Sequence, residues 1–387
     1  MATEQVFASA LQQRQAQYRH RTLRSFVTTY GARINDGSHD LINFASNDYL
    51  GLSRHPELKA RAAQFLDRFG TGLGSSRLLS GNLFVYEQIE SKLAKFKGTE
   101  TALLFPTGYQ ANSTVVAALA QTTDLFLSDH ENHNSLFHGL QISRGRFRRY
   151  EHNDLNDLRK HLDLSAGSPS KWILTESVFS MDGTESDITA ISSMSRDCHA
   201  SLYVDEAHAT GVLGEHGQGL ACGGSRVDIA MGTFSKAMGS FGAYIACTNL
   251  MRDYLINFCG GLIYSTALPP AVLGAIDAAL DVVPDLDQER SRLASMSLSL
   301  RQSIKKLGFQ TLDGSTPIIP IMLGADKDAL ALSQYLEQHQ ILAPAIRPPT
   351  VAEGTARLRL SITVDHVEDD IAQLIDCLKR WKPGVEE

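Results

Sequence analysis

The run YVDEAHATGVLGEHGQGL at residues 203–220, followed by VDIAMGTFSKAMGSFGAY at residues 227–244, says most about how this chain folds. An apolar stretch in the first run ends in Asp205, with His208 three residues further on. A glycine-rich loop comes next, and Lys236 then lies in a segment of small residues. An apolar stretch bounded by turn residues is typical of a buried strand. We therefore expect Asp205 at a strand end.

Similar apolar runs recur on both sides of this stretch and alternate with segments of helical period. The β-prone runs are TALLF, DLFLS, KWILTESVF, SLYVDEAH and GAYIACT. Alternation of strands and helices predicts an α/β fold, with a mostly parallel sheet covered by helices on both faces. Ligands bind at the carboxyl ends of the strands in such sheets. The loops that follow these runs are therefore where we expect the chemistry.

The last third of the chain has a different pattern. A helix at 269–283 begins with prolines, which are tolerated in a first turn. Beyond it the sequence predicts an amphipathic helix ending at Gly308, then strand TPIIPIML, helix DKDALALSQYLEQHQ, strand ARLRLSITV and a final helix in HVEDDIAQLIDCLKRW. We divide the chain into a helix and arm at 1–45, a large domain at 46–283 and a small α+β domain at 284–387.

Composition narrows the class of protein. The 387 residues are 43% hydrophobic and carry a formal net charge of -7, so no bulk basic field favours nucleic acid. The five cysteines form no CxxC pair, which argues against a zinc knuckle or a disulfide framework. The N-terminus lacks the apolar core of a signal peptide, and no stretch approaches the roughly 20 apolar residues of a membrane span. We expect a soluble, cytoplasmic protein that binds neither nucleic acid nor membrane.

Lys236 and Asp205 together suggest a cofactor. Lys236 follows Thr233 and Ser235 and lies among glycines, where an amine has no packing role. Small neighbours leave room for a cofactor that forms a Schiff base with a lysine, and burial favours the neutral amine. Pyridoxal 5'-phosphate (PLP) is such a cofactor, and it needs a carboxylate at its pyridine nitrogen. Taken singly, a solvated lysine and a helix-capping aspartate are equally good interpretations, but the pair favours PLP.

A phosphate site is the next requirement. PTGYQANS at 106–113 follows the apolar run ALLF and opens a helix. The backbone amides of Gly108 and Tyr109 could therefore face an anion, which the helix dipole also favours. The hydroxyl of Thr233 could contact the same phosphate. Alone, this segment would more often be an ordinary strand-to-helix turn.

Six motifs, in the same order along nearly the whole chain, closely resemble the α-oxoamine synthases. These are PLP-dependent enzymes of the aspartate aminotransferase fold type I. The motifs are SNDYLGL (46–52), GSSRLLSGN (74–82), NHNSL (132–136), ESVFSMDG (176–183), VDEAHATGVLGEHGQG (204–219) and GTFSKAMGSFGAY (232–244). The resemblance implies a large domain with a mostly parallel seven-stranded sheet, a smaller α+β C-terminal domain, and a homodimer whose site lies at the interface.

The resemblance also implies roles for individual residues. Lys236 would form the Schiff base and move the α-proton, Asp205 would pair with the pyridinium nitrogen, and His133 would stack on the ring. His208 and Ser180 would bond the ring hydroxyl oxygen. The implied phosphate contacts come from Gly108, Tyr109, Thr233 and, across the dimer, Thr266.

Substrate contacts are implied in the same way. Arg359 in RLRL would bind the carboxylate of the amino acid, Asn47 would lie near the substrate, and Arg24 would meet the acyl group. GTFSKA and LIYSTALPPA resemble the members that join L-alanine to a pimeloyl thioester, carried by coenzyme A or by acyl carrier protein. Two departures from the family pattern, SMDGTESDI and Gln218, bear on the substrate more than on the class.

Other functions were weighed against this one. A glycine acetyltransferase, a 5-aminolevulinate synthase or a synthase of a signalling amino ketone would keep the cofactor residues and differ in substrate pockets. A plain aminotransferase would need a second site for a dicarboxylate, which no pattern here demands. A non-enzymatic binding protein on the same scaffold would have no reason to keep Lys236, Asp205 and His208.

Three further patterns are discounted. GTGLGSS at 70–76 follows a helical segment, whereas a dinucleotide-binding turn follows a strand. His130, His133 and His138 match no single helical face, so we expect no metal. RGRFRRYEH at 144–152 could dock an acidic carrier protein, although a charged strand edge that discourages edge-to-edge pairing is the simpler interpretation.

Overall fold

The computed structural model describes residues 2–165, 167–222 and 226–382. Within them, no helix is long and apolar enough to cross a membrane. The strands are, in chain order, β1 (Thr28–Tyr30), β2 (Arg33–Asn35), β3 (Asp40–Asn43), β4 (Thr101–Phe105), β5 (Leu125–Asp129), β6 (Arg146–Tyr150), β7 (Lys171–Glu176), β8 (Ser201–Asp205), β9 (Ile229–Thr233), β10 (Ala243–Cys247), β11 (Ile318–Gly324), β12 (Ile341–Leu342), β13 (Ala345–Ile346) and β14 (Ala356–Ser361).

The helices account for most of the remaining regular structure. They are α1 (Ala2–Ala16), α2 (Pro56–Phe69), α3 (Phe84–Lys97), α4 (Gly108–Leu119), α5 (Asn134–Ile142), α6 (Leu155–Asp163), α7 (Ile188–Asp197), α8 (Asn249–Phe258), α9 (Gly260–Ile263), α10 (Pro270–Val282), α11 (Asp287–Lys306), α12 (Asp326–Gln338) and α13 (Glu368–Arg380). The helices and strands expected in the last third of the chain are confirmed as α10 to α13, β11 and β14.

The described residues divide into two compact units. The first contains residues 2–49, 181–184 and 291–382, and the second contains residues 50–180 and 185–290. The division into domains expected from the sequence stays a prediction.

The second unit is built around a sheet in which the described residues contribute seven strands, in the order β4-β10-β9-β8-β7-β5-β6. Only β10 runs antiparallel to its neighbours, β4 and β9, so the expected mostly parallel sheet is confirmed. The strands β5, β7, β9 and β10 are buried along their whole length, and apolar residues fill most of their positions, as expected for a sheet that is covered on both faces.

The parallel arrangement determines where polar residues meet. Strands β5, β7, β8 and β9 end in Asp129, Glu176, Asp205 and Thr233, all of which are buried. Since the carboxyl ends of parallel strands lie at one edge of a sheet, these four side chains follow one another along that edge.

The first unit holds two small sheets, in the orders β1-β2-β3-β12 and β11-β14-β13 among the described residues. Within the arm expected after the N-terminal helix, β1 and β2 pair as an antiparallel hairpin that the sequence analysis did not predict. β1 has three exposed residues and no alternation of apolar and polar side chains, so its pairing left no pattern in the sequence.

Candidate active site

A cavity of about 280 Å³ opens at the carboxyl ends of β7, β8 and β9. Its lining belongs to the second unit. The residues predicted from the sequence that line it are Gly108, Tyr109, His133, Asp205, His208, Thr233 and Lys236. Residues that are up to 128 positions apart in the sequence, Gly108 and Lys236, thus line one cavity.

Asp205 ends β8 and is buried, with 3% of its surface exposed. Its Oδ1 accepts a hydrogen bond from the Ala207 amide at 2.8 Å, and its Oδ2 accepts one from Asn112 Nδ2 at 2.6 Å. The Asn112 amide is itself fixed, because its oxygen accepts a hydrogen bond from the Tyr203 hydroxyl at 2.8 Å. The carboxylate is therefore held in one orientation at the cavity wall.

Lys236 lies in the segment after β9, where small residues on both sides leave it open to the cavity. Its Nζ lies 2.8 Å from His208 Nε2. His208 is held three residues beyond Asp205 in the turn that follows β8. The amine, the imidazole and the carboxylate thus share one wall of the cavity.

His133 caps the N-terminus of α5 through its side chain, which accepts a hydrogen bond from the Ser135 amide. Its Nδ1 also lies 2.7 Å from the Ser135 hydroxyl oxygen. Partial removal from water lowers the pKa of His133, and the nearby Lys236 cation acts in the same direction, while Asp205 opposes both. The ring is therefore neutral near pH 7 and can both donate and accept a hydrogen bond.

Glu176 ends β7 beside Asp205 and is almost fully buried. Its carboxyl accepts a hydrogen bond from the His133 backbone amide. Burial raises the pKa of Glu176 well above its ordinary value, and the neighbouring Asp205 carboxylate raises it further. A protonated Glu176 would bring a hydrogen-bond donor, in place of a second negative charge, to this wall.

The N-terminus of α4 also lines the cavity. Thr107 caps the helix by accepting a hydrogen bond from the Gln110 amide, which leaves the first-turn amides of Gly108 and Tyr109 to face the cavity. A Cβ on Gly108 would lie 2.9 Å from Met231 Cε, so a side chain here would crowd the space that the first turn encloses. Thr233 also lines the cavity, and its hydroxyl donates a hydrogen bond to the Gly242 carbonyl at 2.8 Å.

These residues fit PLP. An amine that can form a Schiff base, a fixed carboxylate for a pyridinium nitrogen and a helix N-terminus for a phosphate all face one cavity of suitable size. Among the described residues, no group of three or more histidine, cysteine, aspartate or glutamate side chains could hold a metal ion.

Two predicted cofactor residues lie in the second unit but not in the cavity lining. Ser180 belongs to the loop after β7. Thr266 forms an isolated bridge with Ser76 and lines a separate small pocket beside Arg77. The contacts expected of Ser180 and Thr266 with the cofactor stay predictions.

The three predicted substrate residues belong to the first unit. Arg359, on β14, donates hydrogen bonds to Ser361 Oγ at 2.7 Å and to Asn47 Oδ1 at 3.1 Å, so the structure brings Arg359 and Asn47 together. Arg24 instead forms a two-pronged ion pair with Glu337 at 2.7 and 2.9 Å. The substrate roles of these residues stay predictions.

The sequence analysis missed Asn112, Ser135 and Glu176, which all line the cavity. Asn112 lies four residues after Gly108, so the helical period puts it on the same face of α4 as this glycine, which the sequence analysis predicted to contact a phosphate. Glu176 ends an apolar run in the same way as Asp205. Both patterns were present in the sequence. Neither pattern predicts which residues of other elements will lie beside Asn112 or Glu176.

A further buried carboxylate follows Asp205 directly in the chain. Glu206 is fully buried and pairs with Lys97 at 2.5 Å. Its other oxygen accepts hydrogen bonds from the amides of Leu220 and Ala221 at 2.5 and 2.7 Å. Burial alone would lower the pKa of Lys97, but the Glu206 carboxylate, together with Tyr244 and Cys222, raises it overall. This pair ties the glycine-rich loop after His208 to α3.

Comparison with known proteins agrees with this geometry. The sequence profile of the family described as aminotransferase class I and II matches residues 39–378. The 8-amino-7-oxononanoate synthase of Gluconacetobacter diazotrophicus is 48% identical over 89% of this chain and 88% of its own. The protein of the same name from Geobacter sulfurreducens is 41% identical over 96% of this chain and 97% of its own.

Solved structures give a similar result. Serine palmitoyltransferase from S. paucimobilis with a bound PLP–myriocin aldimine is 25% identical and superposes with a TM-score of 0.90 over 98% of this chain and 97% of its own. The 8-amino-7-oxononanoate synthase of Francisella tularensis is 28% identical, with a TM-score of 0.77 over 88% of this chain and 97% of its own.

Proposed function

The chain belongs to the aminotransferase class I and II family, and we propose that it is a PLP-dependent 8-amino-7-oxononanoate synthase. The reaction joins L-alanine to a pimeloyl thioester and releases carbon dioxide and the thiol. The observation that carries the cofactor chemistry is the meeting of Lys236, His208 and Asp205 in one cavity. The proposed substrates are inferred from the names of the relatives that are 41% and 48% identical over most of the chain.

When bound, PLP supplies an aldehyde that bonds covalently to amines and a ring that withdraws the electron pair left on the α-carbon. Lys236 would hold the cofactor at rest and, once displaced by L-alanine, accept the α-proton on its free amine. His208 Nε2, 2.8 Å away, orients that amine. The same amine would return a proton to the carbon at the end of the reaction.

Asp205 would keep the ring nitrogen protonated. Its two oxygens are oriented by the Asn112 and Ala207 hydrogen bonds, so the carboxylate needs no rearrangement when charge develops. The Gly108 and Tyr109 amides and the Thr233 hydroxyl would hold the phosphate at the positive end of α4. Ser180 would add a hydrogen bond to the ring hydroxyl oxygen.

His133 would stack on the ring and donate a hydrogen bond to the thioester carbonyl as negative charge develops on it. Its lowered pKa keeps the imidazole neutral, so it can donate without adding a second cation beside Lys236. A protonated Glu176 would anchor the His133 backbone without repelling the Asp205 carboxylate.

The remaining roles concern substrates and assembly. Arg359 would bind the carboxylate of L-alanine, with Asn47 beside it, and Arg24 would exchange Glu337 for the acyl group. The proposal includes a homodimer in which Thr266 of the partner subunit reaches the phosphate. It also includes a cytoplasmic location, where the thioester would be carried by coenzyme A or by acyl carrier protein.

The test is a visible absorption spectrum of the purified protein with PLP, recorded for the wild type and for Lys236→Ala. We expect a lysine-linked PLP band in the wild type that Lys236→Ala abolishes, because alanine has no amine to bond the aldehyde. We also expect L-alanine to perturb the band at lower concentration than glycine or L-serine, and pimeloyl-CoA with L-alanine to release carbon dioxide.

The outcomes separate the competing functions. A preference for glycine or L-serine would move the enzyme to a sister activity with the same chemistry. A transamination product without carbon dioxide release would identify a plain aminotransferase. A protein that bound no PLP would contradict the proposal altogether.

A further inference from the structure

Four arginines line the exposed edge of the large sheet. β6 is the last strand in the sheet order, with β5 on one side and no strand on the other among the described residues. Its first four residues are exposed. We call Arg144, Arg146, Arg148 and Arg149 the arginine edge.

No ion pair among the described residues neutralises the arginine edge. Within the described part of the chain, none of the four guanidinium groups forms an ion pair with a carboxylate, and residues 144–150 contain no acidic side chain. The chain as a whole carries a net charge of -7. A concentrated positive surface on an acidic protein attracts an acidic partner and steers its approach.

The arginine edge is continuous with the wall of the cavity. Arg149 pairs in register with Ser128 of β5 and donates a hydrogen bond to the carbonyl of His130. His130 begins the short loop that leads to His133 in the cavity. Since neighbouring strands lie about 4.8 Å apart, β6 is about 14 Å from the strand that carries Asp205.

The four arginines are spread too widely to bind a single phosphate group, and their spacing fits the surface of a protein partner. Residues 144–149 extend over about 16 Å at roughly 3.3 Å per residue. Arg146 and Arg148 point to one face of the sheet, whereas Arg149 points to the other and stacks on Phe137 at 5.3 Å. A phosphate pocket would bring its donors together and bury them, but these arginines are exposed and divergent.

We propose that the arginine edge docks the acidic face of a carrier protein that delivers the acyl thioester to the cavity. This inference rests on the proposed function and selects the protein carrier over free coenzyme A. The flexible arm that bears the thioester would then cross the loop between His130 and His133.

The alternative role of these arginines is to prevent edge-to-edge pairing of β6 with another strand. Replacing arginine with glutamate distinguishes this role from carrier binding. Glutamate keeps an exposed charge on the edge, so it continues to discourage edge-to-edge pairing. It would repel an acidic carrier instead of attracting it. Arg146 and Arg148 are the residues to change, because Arg149 also supports the loop at His130.

The experiment uses the full chain with PLP bound and compares Arg146→Glu/Arg148→Glu with the wild type. Pimeloylated acyl carrier protein and pimeloyl-CoA are the two probes, and both binding and kcat/KM with L-alanine are measured at low and physiological salt. We expect the Kd for the carrier protein to rise about tenfold or more at low salt, and its salt dependence to weaken. The kcat/KM for pimeloyl-CoA should change by less than about threefold.

The matched control is Lys160→Glu/Arg196→Glu, which reverses two exposed charges near the C-termini of α6 and α7. These helices lead into the amino ends of β7 and β8, at the far end of the sheet from the cavity. The control should leave both probes unchanged within about threefold.

An unchanged Kd for the carrier protein in the arginine variant would overturn the inference, and so would an equal loss with both thioesters. The proposed function is judged separately. If neither thioester is condensed with L-alanine by the wild type, that function is wrong, while the Kd of the carrier protein still decides whether the arginine edge binds it.

Discussion

At the scale of single residues, the site depends on side chains that hold the reactive groups in place. Asn112 is the clearest case, because its amide joins Tyr203, Ser135 and Asp205 in one buried network. A hydrogen bond to a buried carboxylate contributes roughly 1.5–3 kcal/mol. The orientation of Asp205 therefore depends on a residue on a different element.

Asn112→Ala should lower kcat about 10- to 100-fold, because Asp205 loses the donor that orients it and holds the ring nitrogen less well. The pH dependence of the PLP absorption band should shift as well, which a general loss of packing would not cause. Tyr203→Phe is the matched control. It removes the hydroxyl on the far side of the Asn112 amide and should have a smaller effect on both readings. A Tyr203→Phe effect as large as that of Asn112→Ala would contradict this account.

His366 is a residue whose titration affects stability. It is fully buried in the first unit, stacks on Phe44 and accepts a hydrogen bond from the Thr363 amide through Nδ1. Burial lowers the pKa of His366 to about 4. The folded protein therefore holds this histidine neutral at a pH where the unfolded chain, with an ordinary pKa near 6.5, already binds a proton.

The stability contribution of neutral His366 is present above about pH 6.5 and is lost as the pH falls towards 4. We expect this group to account for about 3 kcal/mol of the decrease in the free energy of unfolding over that range. Urea unfolding at several pH values would measure it. His366→Asn keeps an acceptor for Thr363 but cannot titrate, so its stability should fall less steeply. Parallel curves for the two proteins would assign the decrease to other groups.

At the scale of elements, the site requires α4 and α5 to pack closely. α4 carries Gly108 and Asn112, and α5 begins directly after its capping residue His133. Gly139 allows the two helices to meet, since a Cβ there would lie 2.9 Å from Val116 Cβ and 3.0 Å from the Ser113 carbonyl oxygen. A change at this contact should therefore reach both the phosphate site and His133.

Gly139→Ala should reduce the free energy of unfolding by about 1–2 kcal/mol, even though alanine favours a helix, because the helices must move apart. PLP affinity should fall with it, measured by titration of the apoprotein. Gly72→Ala is the control, since a Cβ at Gly72 meets nothing within 4 Å, and its effect should stay within about 0.5 kcal/mol. Full PLP affinity in Gly139→Ala would show that the contact does not govern the site.

At the scale of the whole molecule, the residues proposed to bind cofactor and substrate are distributed between the two units. The residues that line the cavity belong to the second unit, whereas Asn47 and Arg359 belong to the first. Binding to the folded state stabilises the parts of a protein that make the contacts. The two ligands should therefore protect different stretches of the chain.

Hydrogen exchange with mass spectrometry would test this distribution in two steps. Addition of PLP should slow exchange in peptides that contain the start of α4, the end of β8 and the segment after β9. Subsequent addition of L-alanine should slow exchange in β14, because Arg359 would bind its carboxylate. Arg359→Gln should abolish the second effect and leave the first. Protection of β14 that survives this substitution would contradict the role proposed for Arg359.

The sequence alone determined a large part of this account. Alternating apolar runs and helical segments predicted the mostly parallel sheet, because a strand buried on both faces must be apolar along its length. The residues after those runs identified Asp205 and Lys236, since strand ends and small-residue loops are local features. The arginine-rich run at 144–152 was also correctly placed on a strand edge. Each of these signals lies within a few consecutive residues.

Only the tertiary structure determined which residues contact one another in the site. Asn112 meets Asp205 across 93 residues, and Glu176 joins Asp205 because β7 and β8 are neighbours in the sheet. The order of parallel strands is set by crossover connections and packing, which leave no local pattern. For the same reason the hairpin of β1 and β2 could not be predicted, and neither could the position of the arginine edge beside the loop to His133. Local sequence motifs predicted the residue types that the proposed chemistry needs. Only the tertiary structure determined which of these residues lie close together.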